Sequence, residues 1–494
     1  MREAGTKPVQ GRIGSAFRRA RKPDKDRMEA LRLRAPWWWV FGVLFALAAY
    51  QILMNPFGFS DLTQRYTQDI SEVLITGPYL YPETGRDRVS VALVEDSTLR
   101  DTAMPWPWPY GAQARILDAL LAYKPRAVVV DLLFVDPRQD PTLPDLVAEI
   151  GRYRKAGVPL YFAAADGEPP VRTELRQAGV KLVDPTILVN QGIVRQYPIT
   201  GRCFGKQAAG ASCPSLALAV YRDLYPKQPL KVSDQGLMEL VWGTRTDPTN
   251  AKWMRVIDEM GVARSCSETM SPWRRTMLAF FDPSQVRSRC PYTGTIPAES
   301  LMQGAEDPDV AHLARGRVVF YGASLEGVED KSFTPVNGLI ASVYVHAMAL
   351  DNLITFHGKP EQNVAQLGGF TFDSNPIQVL AIVPVLLILS WLHVRGLRRR
   401  ALHAAGKNKG GGLGEWLFDK VAETAWHWFA LALGLGAGLL LTVAAGLSVA
   451  NWVEVMFVSV ELAALLLVGV PDAIWGYLHH VVSDMELQAG EQAA

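Results

Sequence analysis

Cysteine is scarce in this chain: 494 residues hold four, Cys203, Cys213, Cys266 and Cys290. No CxxC pair occurs and no histidine stands at ligand spacing, which speaks against zinc. The oxygen-ligand spacing of a calcium loop is missing too, so no metal and no cofactor are expected. All four thiols fall in the middle of the chain, outside the basic and apolar segments. An even number confined to one region favours two disulfides over buried free thiols, and therefore an oxidising compartment. Closeness in sequence and loop-rich surroundings predict the pairs Cys203–Cys213 and Cys266–Cys290. Net charge is nearly absent as well, at +1, because oppositely charged stretches cancel along the chain rather than locally. No nucleic-acid partner is expected.

Long apolar runs are missing from the middle and gather at the two ends. Residues 1–36 form a basic segment containing Arg18, Arg19, Arg21, Lys22, Arg32 and Arg34. Residues 37–54 carry no charge and suit a helix crossing a hydrocarbon core of roughly 30 Å. Trp37, Trp38 and Trp39 stand where an interfacial aromatic belt belongs. Ala46-Leu47-Ala48 resembles a signal-peptide cleavage site, but the basic region is too long for one and the apolar run continues past it. Three more spans are predicted at 376–394, 425–450 and 452–475, the last two forming a hairpin about Asn451. Arg395, Arg398, Arg399 and Arg400 follow the second span, as the positive-inside rule requires of a cytoplasmic end. Four spans then put residues 55–375 in the periplasm of a bacterial inner-membrane protein. The loop 395–424, flexible at Gly410-Gly411-Gly412, and the tail 476–494 lie in the cytoplasm. Neither has room for a kinase, cyclase or phosphodiesterase, so no fused output domain is expected.

Within the third span Gly434, Gly438, Thr442, Gly446 and Ala450 recur every four residues. Such a small face permits close backbone approach, either to the fourth span or to another chain. Glu461 lies near the middle of the fourth span, with Glu454 on the same face. A carboxylate at that depth is expected to face protein or water rather than lipid.

The middle region reads as an α/β extracytoplasmic domain with a largely parallel sheet, joined to four transmembrane α-helices. Val89–Val94 is an apolar, β-branched run ending in Glu95-Asp96, and Ala112–Lys124 carries Ile116, Leu117, Leu120 and Leu121 at helical spacing. Ala127–Val130 is a second strand ending at Asp131, completing a βαβ unit. Further strands fit Leu160–Ala163 before Asp166, Val180–Val183 before Asp184, and Val318–Tyr321. Carboxylates at such strand ends gather at the ligand-binding edge of a parallel sheet, although aspartate also caps helices and starts turns. Pro105-Trp106-Pro107-Trp108-Pro109 is a stiff connection presenting two indoles, suited to a pocket wall or to closing one end of the core.

Around this segment the chain resembles the CHASE2 family of extracytoplasmic sensor domains. The family pattern of an acidic pair with Ser, a WPWPR-like segment, and a strand ending in D-x-x-F is matched by Glu95-Asp96-Ser97, Trp106–Pro109, and Asp131 with Phe134. Downstream, Gly322-Ala323-Ser324, Asp330, Thr334-Pro335 and Val345-His346-Ala347 follow in the family's order. Pro291–Leu301 also resembles the segment before the last strand. Tyr110 departs from the usual Arg, Asn190-Gln191-Gly192 from a D-x-D-G-like turn, and Ser342 and Tyr344 from the usual Gly and Glu. The resemblance implies a sensory role, fed in relatives to a cyclase or kinase. A ligand site is expected at Asp96, Asp131, Asp330 and His346, with Trp106 and Trp108 beside the acids.

Two functions fit. One is a receptor that detects a ligand or envelope state and relays it through the helices to a separate partner. The other is a structural subunit that assembles a larger membrane complex. A homo-oligomer in the bilayer is expected either way. An enzyme is not, because Gly322-Ala323-Ser324-Leu325-Glu326 lacks the second glycine of a nucleophile elbow.

Overall fold

The computed structural model describes residues 36–54 and 69–478, apart from 55–68, 70–71, 136–137, 165–169, 205–212, 229–235, 258–262, 267–289 (Leu278 excepted), 304–306, 328–329, 359–363, 368–369, 405–412, 445–448, 469, 472 and 476. Its main elements in chain order are α1 (Trp37–Met54), β1 (Val89–Glu95), α2 (Tyr110–Ala122), β2 (Ala127–Val130), α3 (Leu143–Ala156), β3 (Leu160–Ala163), β4 (Lys181–Val183), α4 (Leu216–Leu224), β5 (Gly294–Pro297), β6 (Val318–Ser324), α5 (Ser342–Thr355), α6 (Ser374–Ala404), α7 (Leu413–Ala444) and α8 (Val449–Val468). They fall into two units, one over Tyr66–Asn363 and one formed by Met1–Arg65 with Val364–Ala494.

The first unit is built on a six-stranded sheet in the order β5-β1-β6-β2-β3-β4. Every neighbouring pair in it is parallel. Parallel sheets covered on both faces are written as unbroken apolar runs, and β1, β2 and β6 are buried along nearly their whole length. One face carries Val91, Leu93, Val129 and Phe320 and packs with residues of α4 and α5. The other carries Ala92, Val94, Val130 and Tyr321 and packs with Ile116, Leu117 and Leu120 of α2 and Leu146 and Ile150 of α3. Full burial of each such side chain contributes about 1.5–3 kcal/mol. The expected βαβ unit is present with one difference: β6 inserts between β1 and β2 and pairs with both. Both bonds predicted for the cysteines are formed, Cys203 to Cys213 and Cys266 to Cys290, with Cα separations of 5.2 and 5.5 Å.

In the second unit, two helical segments among the described residues are long and apolar enough to cross a membrane, Trp37–Met54 and Ile377–Gly396. The third expected span is helical, but its apolar part, Trp428–Thr442, is shorter. Helix α7 starts at Leu413, so the expected cytoplasmic loop is helical over its last dozen residues. Asn451 lies inside α8 rather than in a turn; residues 445–448, Gly446 among them, lie outside the described residues.

The small face of α7 meets α6, where the fourth span or another chain was expected. A Cβ on Gly438 would lie 2.8 Å from the Ala381 carbonyl oxygen, and one on Gly434 would lie 2.7 Å from Ile388 Cδ1. Thr442 continues this face and returns its hydroxyl to the Gly438 carbonyl at 2.6 Å. On α8, Glu461 is exposed and accepts a hydrogen bond from Gln51 Nε2 of α1 at 2.7 Å.

Candidate functional site

Strand alternation decides which face of the sheet Asp131 serves. It follows β2 with the parity of Val129, and so joins the face covered by α5. Its backbone N–H continues the ladder to the Tyr321 carbonyl at 2.7 Å. His346, in the second turn of α5, brings Nε2 to 3.8 Å from Asp131 Oδ2. That separation exceeds a hydrogen bond, and Oδ2 has no hydrogen-bond partner among the described residues although Asp131 is only 8% exposed. Asp330 completes the group. Its carbonyl accepts the Ser342 N–H at 3.1 Å, and its carboxyl is hydrogen-bonded by the Ser342 side chain and feels the charge of Asp131.

Behind His346 stands Tyr197, with its hydroxyl 2.7 Å from Nδ1. The Ala217 N–H donates to the same phenol oxygen at 3.4 Å. The phenol can donate to Nδ1, which leaves the ring proton on Nε2. The imidazole also hydrogen-bonds the Pro185 backbone.

Burial sets the charge state of this group. It pushes the Asp131 carboxyl up to about 7. Asp330 rises to about 6, through burial first and the nearby Asp131 charge second. Burial depresses His346 to about 4, against the opposing pull of Asp330, Asp184 and Pro185. At neutral pH the imidazole is therefore uncharged, and its contact with Asp131 is not an ion pair. Two carboxyls that repel each other and titrate close together share their protons as a pair. Perturbed acids gathered at the carboxyl edge of a parallel sheet are the usual mark of a binding site.

The remaining expected site residues lie elsewhere. Trp108 is fully buried and Trp106 partly so, both within the core on the α2 side of the sheet, and the Trp108 indole donates to the Met104 carbonyl at 3.3 Å. The expected neighbourhood of acids and indoles is thereby corrected, because the tryptophans and Asp131 serve opposite faces. Asp96 opens the short helix Asp96–Thr102 and accepts the Glu326 N–H at 3.1 Å. Asp184 is enclosed by structural donors: the Arg202 guanidinium at 2.8 Å, and the Thr186 hydroxyl at 2.6 Å. Asp166 lies outside the described residues.

At the departure Tyr110, the ring is covered by two cations from other segments, Arg138 at 4.5 Å and Arg172 at 5.6 Å from its centroid. An open groove of about 530 Å³ runs between α2 and α3, lined by Arg115, Asp118 and Arg152 among others, and contains none of the expected ligand residues. We therefore place the candidate site by chemistry, at Asp131, Asp330 and His346. Sequence reasoning missed Tyr197, whose strand Ile193–Pro198 includes Arg195 and Gln196 and shows no clean alternation. It also missed β5, where Gly294, Thr295 and Pro297 break the apolar run.

No curated protein and no solved structure matched this chain. The CHASE2 domain model matches residues 36–391, more than two thirds of the sequence. By that match, and by the motifs that now sit at the ends of β1, β2 and β6 and along α5, the chain belongs to the CHASE2 domain family.

Proposed function

We propose that the protein is a membrane sensor that takes its input at the carboxyl edge of the outer sheet and relays it through its helices to a separate partner. The observation that carries this reading is the buried, unpartnered Asp131 oxygen beside a neutral His346 and a second acid, Asp330. A buried polar atom without a partner is costly unless a ligand or a proton completes it. Because the indoles serve the other face, the acids alone define the preference, for a protonated or polyhydroxylated ligand. His346 is engaged with Tyr197, which supports a binding rather than a catalytic role.

In the topology we favour, four helices span a bacterial inner membrane with both ends inside, and residues 55–375 stand in the periplasm. Two disulfides and two membrane-length helices support that arrangement. A second reading, an assembly subunit in a homo-oligomer or larger complex, is favoured by Glu461, a carboxylate left exposed on α8. Affinity purification of the full chain from membranes distinguishes the two. A sensor recovers a signalling enzyme; recovery of further copies of this chain alone would replace the sensor reading with the assembly one.

A further inference from the structure

A second buried acid lies away from the candidate ligand site, where the first and last segments of the outer unit meet. Asp351 sits in the last turns of α5 and is fully buried. Its Oδ1 accepts hydrogen bonds from the Tyr81 hydroxyl and, at 3.0 Å, from Thr355 Oγ1. Its Oδ2 has no hydrogen-bond partner among the described residues. Tyr81 follows directly on the helical segment Glu72–Leu80, at the start of the unit. Asn352 locks the junction by donating Nδ2 to the Tyr81 hydroxyl at 3.0 Å and to the Val241 carbonyl at 2.9 Å, while its Oδ1 accepts the Val241 N–H at 2.8 Å. Gly85 lies so close that a Cβ there would overlap Asp351 Oδ1.

We propose that Asp351 is a proton-operated latch: neutral, it holds the entering segment against α5, and ionised, it releases that segment. The chain connects Tyr81 back toward α1 and Asp351 onward toward α6, so the latch joins the two stretches through which a signal leaves the domain. A buried carboxylate with one oxygen unpaired is strongly disfavoured, whereas the neutral acid fits the pocket. Burial pushes Asp351 up to about 7.

The charged groups facing it come from every side of the junction. Arg86 favours the carboxylate and Asp87 opposes it. Arg86 is itself held by Glu83 at 2.9 Å and by the Arg245 carbonyl at 2.8 Å. Arg317 donates to the Arg86 carbonyl at 3.1 Å and pairs with Asp247 at 3.7 Å. The Tyr292 ring stands edge-on to Tyr81 at 5.5 Å. None of them offers Oδ2 a hydrogen bond. The sign follows from the raised value. The folded form binds the extra proton, so the latch is fully closed below the ordinary carboxylate range and opens as pH rises through about 7.

Hydrogen exchange of the full chain in detergent, corrected for intrinsic rates, reads the latch directly over residues 81–88 and 348–356. The wild type should lose protection there about tenfold per pH unit between the ordinary carboxylate value and its midpoint near 7, and level off above it. Asp351→Asn should keep that protection at all pH values. Tyr81→Phe removes a donor that favours the carboxylate and should move the midpoint upward, a result that decides the matter even if Asp351→Asn fails to fold. Asp131→Asn should leave the midpoint in these peptides unchanged, which separates the latch from the ligand site. A midpoint that survives Asp351→Asn, or is absent in the wild type, overturns the proposal.

Discussion

Replacing Asp131 by Asn tests the electrostatic reading of the site, because it removes the ionisation with little change of shape. In the folded protein the carboxyl titrates near 7 rather than at its ordinary 3.8. Between those values the folded state holds a proton that the unfolded state has lost, so stability falls as pH rises. Roughly three pKa units correspond to about 4 kcal/mol, present in full below the unfolded value and lost once pH passes about 7. His346 acts in the opposite sense. Its depressed value means that its contribution is present above the ordinary histidine range and is lost as pH falls toward about 4. Comparing variant with wild type cancels most of that and the share of Asp351, while losing the Asp131 charge also relieves Asp330 and adds to the variant's gain at high pH. Asp131→Asn should therefore melt with the wild type near pH 4 and above it near pH 8, by on the order of 10 °C for a domain of this size. Melting of the detergent-extracted protein across that range supplies the measurement. A variant less stable than wild type at the alkaline end would refute the reasoning, since it would mean that the ionised carboxylate has a partner.

In the helical unit, Gly438→Leu should lower the melting temperature, because even its Cβ overlaps the Ala381 carbonyl. Such overpacking costs about 1–3 kcal/mol, and unchanged melting and particle size would count against the α6–α7 contact. Glu461→Leu breaks the bond to Gln51 and should alter the size of the extracted particle if α8 faces another chain; a normal particle would retire the assembly reading. Peptide mapping without reduction should recover Cys203 linked to Cys213 and Cys266 linked to Cys290. Each bridge should contribute about 2–4 kcal/mol, and four free thiols would remove the case for an oxidising compartment.

The central sheet was legible because β1, β2 and β6 are buried on both faces and therefore written as continuous apolar runs. Strand β5 was not. Its Thr295 is buried by bonding the Tyr344 hydroxyl at 2.8 Å and its backbone N–H by bonding Asn250 Oδ1 at 2.8 Å, and these partners lie far away in sequence. Position at a strand end placed Asp131 at the correct edge. It said nothing of the face taken by the neighbouring Trp106 and Trp108, which depends on how the loop after β1 turns. The latch was still harder to see, since Tyr81 and Asp351 are 270 positions apart. One local signal existed: His346, Asp351 and Asn352 interrupt a helix whose residues 343–354 are all buried, and polar groups so placed must find partners across the core.

The sensor account is tested most directly by thermal-shift titration of the purified full chain against panels of organic amines and polyols, run in parallel on Asp131→Asn. The account predicts at least one compound that stabilises the wild type in proportion to its concentration and leaves the folded variant unmoved. A compound that stabilises both proteins equally would place the input away from Asp131 and contradict it.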